Sequence, residues 1–155
     1  MRKIIVGAFL ITAIGQAALA GPKVKEGIRH YSISGNTVEE LKASMKKNGP
    51  RGYWGYTEWY VKWSGSCKVS VDVKYTMPKL ASPKKVPADV KAKFDRMYAN
   101  LLAHEKNHGK NGISAAQQIE AANCVNGDAI LKKHNALDVA YDKKTKHGLR
   151  EGVKF

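Results

Sequence analysis

Leu101-Leu102-Ala103-His104-Glu105-Lys106-Asn107-His108 is the stretch from which the rest of the chain is read. Upstream of it Val90, Phe94, Met97, Tyr98 and Leu101 recur at steps of three and four, which is the period of a helix with one apolar face. The stripe Met97–Leu101 continues in register through His104 and His108. The spacing therefore predicts a helix from about Ala88 that carries both histidines on its inward side. Beyond the stretch, Gly109 and Gly112 are expected to bend or end that helix. A second helix is predicted over about Ile113 to Leu131, with Ile119, Ala122 and Ile130 inward. The chain from Asn135 onward reads as irregular.

Working towards the N-terminus, Pro78 to Pro87 holds three prolines and three lysines and reads as a linker. Before it, Cys67, Val69, Val71, Val73, Tyr75 and Met77 alternate with polar residues, the signature of a half-buried strand. Ser64-Gly65-Ser66 precedes it as a turn, and residues 56–63 alternate well enough to make an antiparallel hairpin with it. The aromatics Tyr53, Trp54, Tyr56, Trp59, Tyr60 and Trp63 are read as sheet core, with a carbohydrate- or peptide-binding platform as the alternative. Val24 to Ile33 reads as another strand. Thr37 with Glu40 forms a capping box for a short helix over 38–47, which Asn48-Gly49-Pro50 stops. The expected fold is α+β, a small antiparallel sheet packed on helices.

The stretch also carries chemistry. It matches H-E-x-x-H, and four residues is just over one helical turn, so both imidazoles reach one ion from the same side. Two neutral imidazoles suit zinc. Glu105 lies one step round the helix, placed to take a proton from a water on that metal as the water attacks a carbonyl. Catalytic zinc needs a third protein ligand. Asn111 and Ser114 stand where the metzincin pattern needs glycine and histidine, which excludes that class. Glu120 lies about 18 Å along a continuous helix from His108 and is reachable only if the helix breaks at Gly109–Gly112. His134, Asp138, Asp142 and His147 remain candidates.

Met1-Arg2-Lys3, an apolar run from Ile4 to about Gly15, and Ala18-Leu19-Ala20 before Gly21 form a secretory signal over residues 1–20. The remainder, 21–155, is one domain. With Arg2 and Lys3 gone the formal charge falls from +14 by two. The lysines are scattered, which argues for a solvated cationic surface rather than a specific nucleic-acid site. Export makes a disulfide between the two cysteines, Cys67 and Cys124, the expected state.

Over nearly the whole mature chain the sequence resembles a bacterial family of uncharacterised proteins described as predicted secreted zinc-dependent proteases. The resemblance rests on Tyr31-Ser32-Ile33-Ser34-Gly35 followed by Glu40-Leu41, Gly49-Pro50, the aromatic hairpin, the H-E-x-x-H stretch, and the ending Tyr141-Asp142-Lys143-Lys144-Thr145-Lys146-His147-Gly148. That ending is similar to the family's Y-D-x-x-T-x-H-G. The resemblance implies a zincin-like fold with His147 as third zinc ligand beside His104 and His108. It leaves Asp138 or Asp142 as alternatives. Tyr141 is either an oxyanion donor or a packed tyrosine. The expectation is an exported zinc metallopeptidase, periplasmic or secreted, acting on protein or peptide substrates through Glu105. No specific nucleic acid and no lasting membrane insertion are expected. The alternatives are a zinc-binding envelope protein without turnover and a cationic envelope-binding protein.

Overall fold

The computed structural model describes residues 21–155; the signal sequence read over residues 1–20 lies outside them. Three strands, β1 (Lys23–Ile33), β2 (Tyr56–Trp63) and β3 (Val69–Leu80), form one sheet in the order β1-β3-β2. Three helices, α1 (Val38–Asn48), α2 (Ala88–Ala121) and α3 (Gly127–Thr145), complete the α+β fold. The β2–β3 hairpin is antiparallel as expected, but β1 runs parallel to β3, so the sheet is mixed. After α1 the chain enters β2 near the end where β1 finishes and runs back antiparallel to it; the hairpin reverses the chain again, so β3 lies parallel to β1.

Alternation places Val69, Val71, Val73, Tyr75 and Met77 of β3 inward, where all are buried. Pairing sets Thr57, Trp59, Val61 and Trp63 of β2 opposite Tyr75, Val73, Val71 and Val69, on that same face. This face packs on Met97, Leu101, Ala116 and Ile119 of α2. Leu41 and Met45 of α1 close one end of the core. Thr37 and Glu40 make the capping box in full, each side chain bonding the other's backbone N–H.

Three predicted boundaries are corrected. First, α2 does not break at Gly109 or Gly112 but runs unbroken for 34 residues, about 50 Å. The two glycines serve contact instead: a Cβ on Gly109 would meet the Tyr75 hydroxyl at 2.1 Å, and one on Gly112 would meet the Trp59 ring at 2.4 Å. Sheet and helix approach this closely because side chains are missing there. Second, the chain from Asn135 is not irregular. It belongs to α3, whose weak apolar periodicity reflects a face of His134, Asp138 and Asp142 turned towards α2. Third, Pro78 belongs to β3, which extends to Leu80.

Cys67 and Cys124 form a disulfide, joining the approach to β3 to the turn between α2 and α3. Among the described residues no helix is long and apolar enough to cross a membrane.

Candidate metal centre

His104 and His108 project from α2 beneath the sheet, both buried. The antiparallel α3 brings Asp142 against them. The Nε2 atoms of the two histidines lie 3.3 Å apart, and Oδ1 of Asp142 lies 3.2 Å from one and 3.3 Å from the other. His104, His108 and Asp142 are thus the group of potential ligands the fold assembles.

The protonation pattern follows from the partners on the far side of each ring. Nδ1 of His104 is 2.7 Å from Glu151 Oε2, and Nδ1 of His108 is 2.9 Å from Asp138 Oδ1. Each Nδ1 therefore carries the proton and donates it to a carboxylate. Both Nε2 atoms then turn bare lone pairs towards each other and towards a carboxylate oxygen. Three acceptors in a triangle repel unless a cation or proton stands among them. In a regular tetrahedron, edges of this length belong to a centre-to-vertex distance of about 2.0 Å, the bond length zinc makes to imidazole nitrogen. The donor set and its spacing fit a divalent metal, and carboxylate support behind each histidine is the usual way such rings are oriented. For His108, burial by itself would lower the pKa, but the hydrogen bond and charge of Asp138, with Asp142 and Glu105 nearby, raise it overall.

Glu105 lies beside the triangle and is buried. Burial pushes its carboxyl above the usual range, while a hydrogen bond from Thr57 and the two histidines pull the other way. Thr57 on β2 donates from Oγ1 to Glu105 Oε2 at 2.6 Å. Gly55 faces the other oxygen, where a Cβ would stand 2.6 Å from Oε1. Asp138, besides holding His108, accepts from Trp59 Nε1 at 2.7 Å. The hairpin thus fixes both the free carboxylate and one histidine's support.

The other expected residues fall as follows. His147 is exposed, with Nδ1 3.5 Å from the second oxygen of Asp142 and its ring 5.6 Å from that of Tyr53. It stands behind Asp142 rather than in the triangle. Lys146, His147 and Gly148 all have left-handed φ, which ends α3 abruptly and swings the His147 ring outward. Tyr141 stacks on His104 at 5.1 Å; its hydroxyl donates to Glu151 and accepts from Asn107. Burial, opposed by Asn107 and reinforced by Glu151, pushes that hydroxyl up to about 12. His134 is buried on α3 about two turns before Asp142, bound through Nδ1 to Asn111 at 2.6 Å. Glu120 sits on the unbroken α2, about 18 Å along the axis from His108, so the condition that would have admitted it is not met.

Sequence reading missed Glu151. The Y-D-x-x-T-x-H-G segment explains how it arrives. Thr145 Oγ1 bonds the Tyr141 carbonyl and receives the Gly148 N–H, and the left-handed run then reverses the chain. Val153 becomes buried in the core and the Gly152 carbonyl accepts from Asn100, which lays Glu151 over His104. The triangle opens into a cleft of about 750 Å³ walled by residues 51–60, with Glu105, Asp138 and His147 along it.

The chain belongs to a family described as a bacterial protein of unknown function, DUF922, whose model matches residues 28–148. No curated protein and no solved structure matches it. The matched span takes in the triangle, Glu105 and the aromatic wall, and stops short of Glu151.

Proposed function

We propose that this DUF922 protein is an exported, zincin-like zinc metallopeptidase, with His104, His108 and Asp142 as the metal's protein ligands. The observation that carries the reading is the triangle of three bare acceptors with a buried, otherwise free carboxylate beside it. Zinc in such a site supplies a Lewis acid that polarises a carbonyl and acidifies water. Glu105 accepts the proton of the attacking water and later delivers it to the leaving amine. Thr57 pins Oε2 and leaves Oε1 as the working oxygen. Asp138 and Glu151 hold the two rings in the tautomer that presents Nε2.

Tyr141 takes a positioning role in this reading. Its hydroxyl is engaged by Glu151 and Asn107, and it is not among the residues lining the cleft. His147 belongs to the cleft wall. β2 is an outer strand of the sheet and lines the cleft from Tyr56 to Tyr60, so an extended peptide can pair with its open edge. The disulfide and the secretory signal agree with action outside the cytoplasm.

The test is zinc content and peptide-library cleavage, with and without chelator. Glu105→Gln is expected to keep zinc and lose hydrolysis by at least about 100-fold. His104→Ala is expected to lose both. A metal-replete protein that cleaves nothing in the library would leave a zinc-binding envelope protein as the surviving description.

A further inference from the structure

One cation in the cleft wall has no use in the chemistry above. Arg51 stands in Gly49-Pro50-Arg51-Gly52 with φ 54° and ψ 22°, left-handed backbone that a side chain other than glycine enters at a cost. Glycine occupies the next position, so the turn itself does not call for a long side chain here. Among the described residues the guanidinium has no carboxylate partner. It lies instead over the ring of Tyr56, 5.1 Å from its centre. Tyr56 stacks on Tyr53 at 6.5 Å, and Tyr53 meets His147 at 5.6 Å. His147 in turn touches Asp142. An unbroken row of planar groups therefore leads from the ligand triangle to Arg51, and Arg51 lines the same cleft.

We propose that Arg51, held over the Tyr56 ring, is a specificity-determining residue that receives a carboxylate of the substrate. A guanidinium fork matches a carboxylate through two parallel hydrogen bonds, and the contact with Tyr56 holds it at the cleft wall before the ligand arrives. The carboxylate is either an acidic side chain or the free C-terminus of the peptide. The proposal rests on the peptidase reading for the identity of the ligand as a peptide, but binding tests it without turnover.

The probes are four alanine-based pentapeptides. One pair has blocked ends with glutamate or glutamine at the centre; the other has a free or an amidated C-terminus. Affinities are measured by calorimetry on zinc-loaded Glu105→Gln protein, produced with its own N-terminal segment. At least one carboxylate-bearing peptide is expected to bind about tenfold or more tightly than its neutral twin. The pair that separates identifies the source of the carboxylate. Arg51→Gly is expected to erase the difference, keep the neutral peptides' affinity and leave the melting temperature unchanged or higher, since glycine suits this φ. Arg51→Lys is expected to restore only part of the preference. With Glu105 intact, Arg51→Gly raises KM and spares kcat, the mark of uniform binding. Failure of both pairs to separate, or a preference that survives in Arg51→Gly, overturns the proposal. Separation that Arg51→Gly erases, in a protein that hydrolyses no peptide, upholds the carboxylate site and removes the peptidase.

Discussion

At the scale of single residues, the centre is decided by which atoms meet and which are held back. Asp142 offers one oxygen to both histidines, whereas His147 reaches only the other oxygen of Asp142 from an exposed position. Asp142→Ala is therefore expected to lose zinc, and His147→Ala to retain it with little change in affinity. Metal titration against a coloured chelator checks this, and the reverse pattern would transfer the ligand role to His147. Glu151 bonds the proton-bearing nitrogen of His104 and is itself braced by Tyr141. Glu151→Gln is expected to weaken zinc binding by about 10- to 100-fold, as loss of such support commonly does. Zinc affinity equal to that of the native protein would show that the tail carboxylate is incidental. The histidine pair and Glu105 were legible in the sequence because one helical turn relates them. Asp142 stood among several candidates, and Glu151 was not visible at all. Its place depends on a reversal made by three successive left-handed residues, one of them histidine and one lysine, which composition does not announce.

At the scale of elements, α2 is where intrinsic preference and packing oppose each other. Glycine in a helix interior costs about 1 kcal/mol relative to alanine, so propensity alone says that Gly112→Ala should stabilise the protein. The Trp59 ring stands 2.4 Å from where the new Cβ would be. Overpacking of that kind costs about 1–3 kcal/mol, and relief requires moving Trp59, whose Nε1 holds Asp138. Gly112→Ala is thus expected to destabilise the fold by about that amount and also to weaken the metal site, measured by urea unfolding and zinc titration. A rise in the unfolding midpoint would mean that the strand can recede freely. Both glycines were read as a hinge because punctuation is what glycine signals locally. Their actual role is set by β2 and β3, which no local window contains. The helix of 38–48 raised no such conflict: cap, stripe and stop agreed, and the element formed within a residue of its expected ends.

At the scale of the molecule, the fold is a sheet and two long helices fastened at one end by a disulfide and at the other by the returning tail. Cys67 and Cys124 are separated by 57 positions. Closing a loop of that size removes enough freedom from the unfolded chain to contribute ~4 kcal/mol. The Cys67→Ser, Cys124→Ser double variant is expected to lose up to about that much stability in urea, with the native protein under reductant behaving alike. An unchanged midpoint in both would show that the hairpin and α2 stay in register unaided. Lysines stand on all three strands and all three helices, and the cleft lining contains none of them. Among the lysines and arginines, Arg51 alone lines the cleft.

What the sequence determined by itself was whatever short-range periodicity encodes: the apolar stripe of α2, the alternation of β3, the capping box, and two imidazoles beside a carboxylate on one helical face. Those follow from 3.6 residues per turn and the two-residue repeat of a strand, and they need no partner. Tertiary structure decided the parallel placement of β1, the unbroken course of α2, the use of Asp142 as the third corner and the arrival of Glu151. Each of these joins residues far apart in the chain. Their meeting is set by how faces pack across the core, which becomes fixed only when the whole chain has folded.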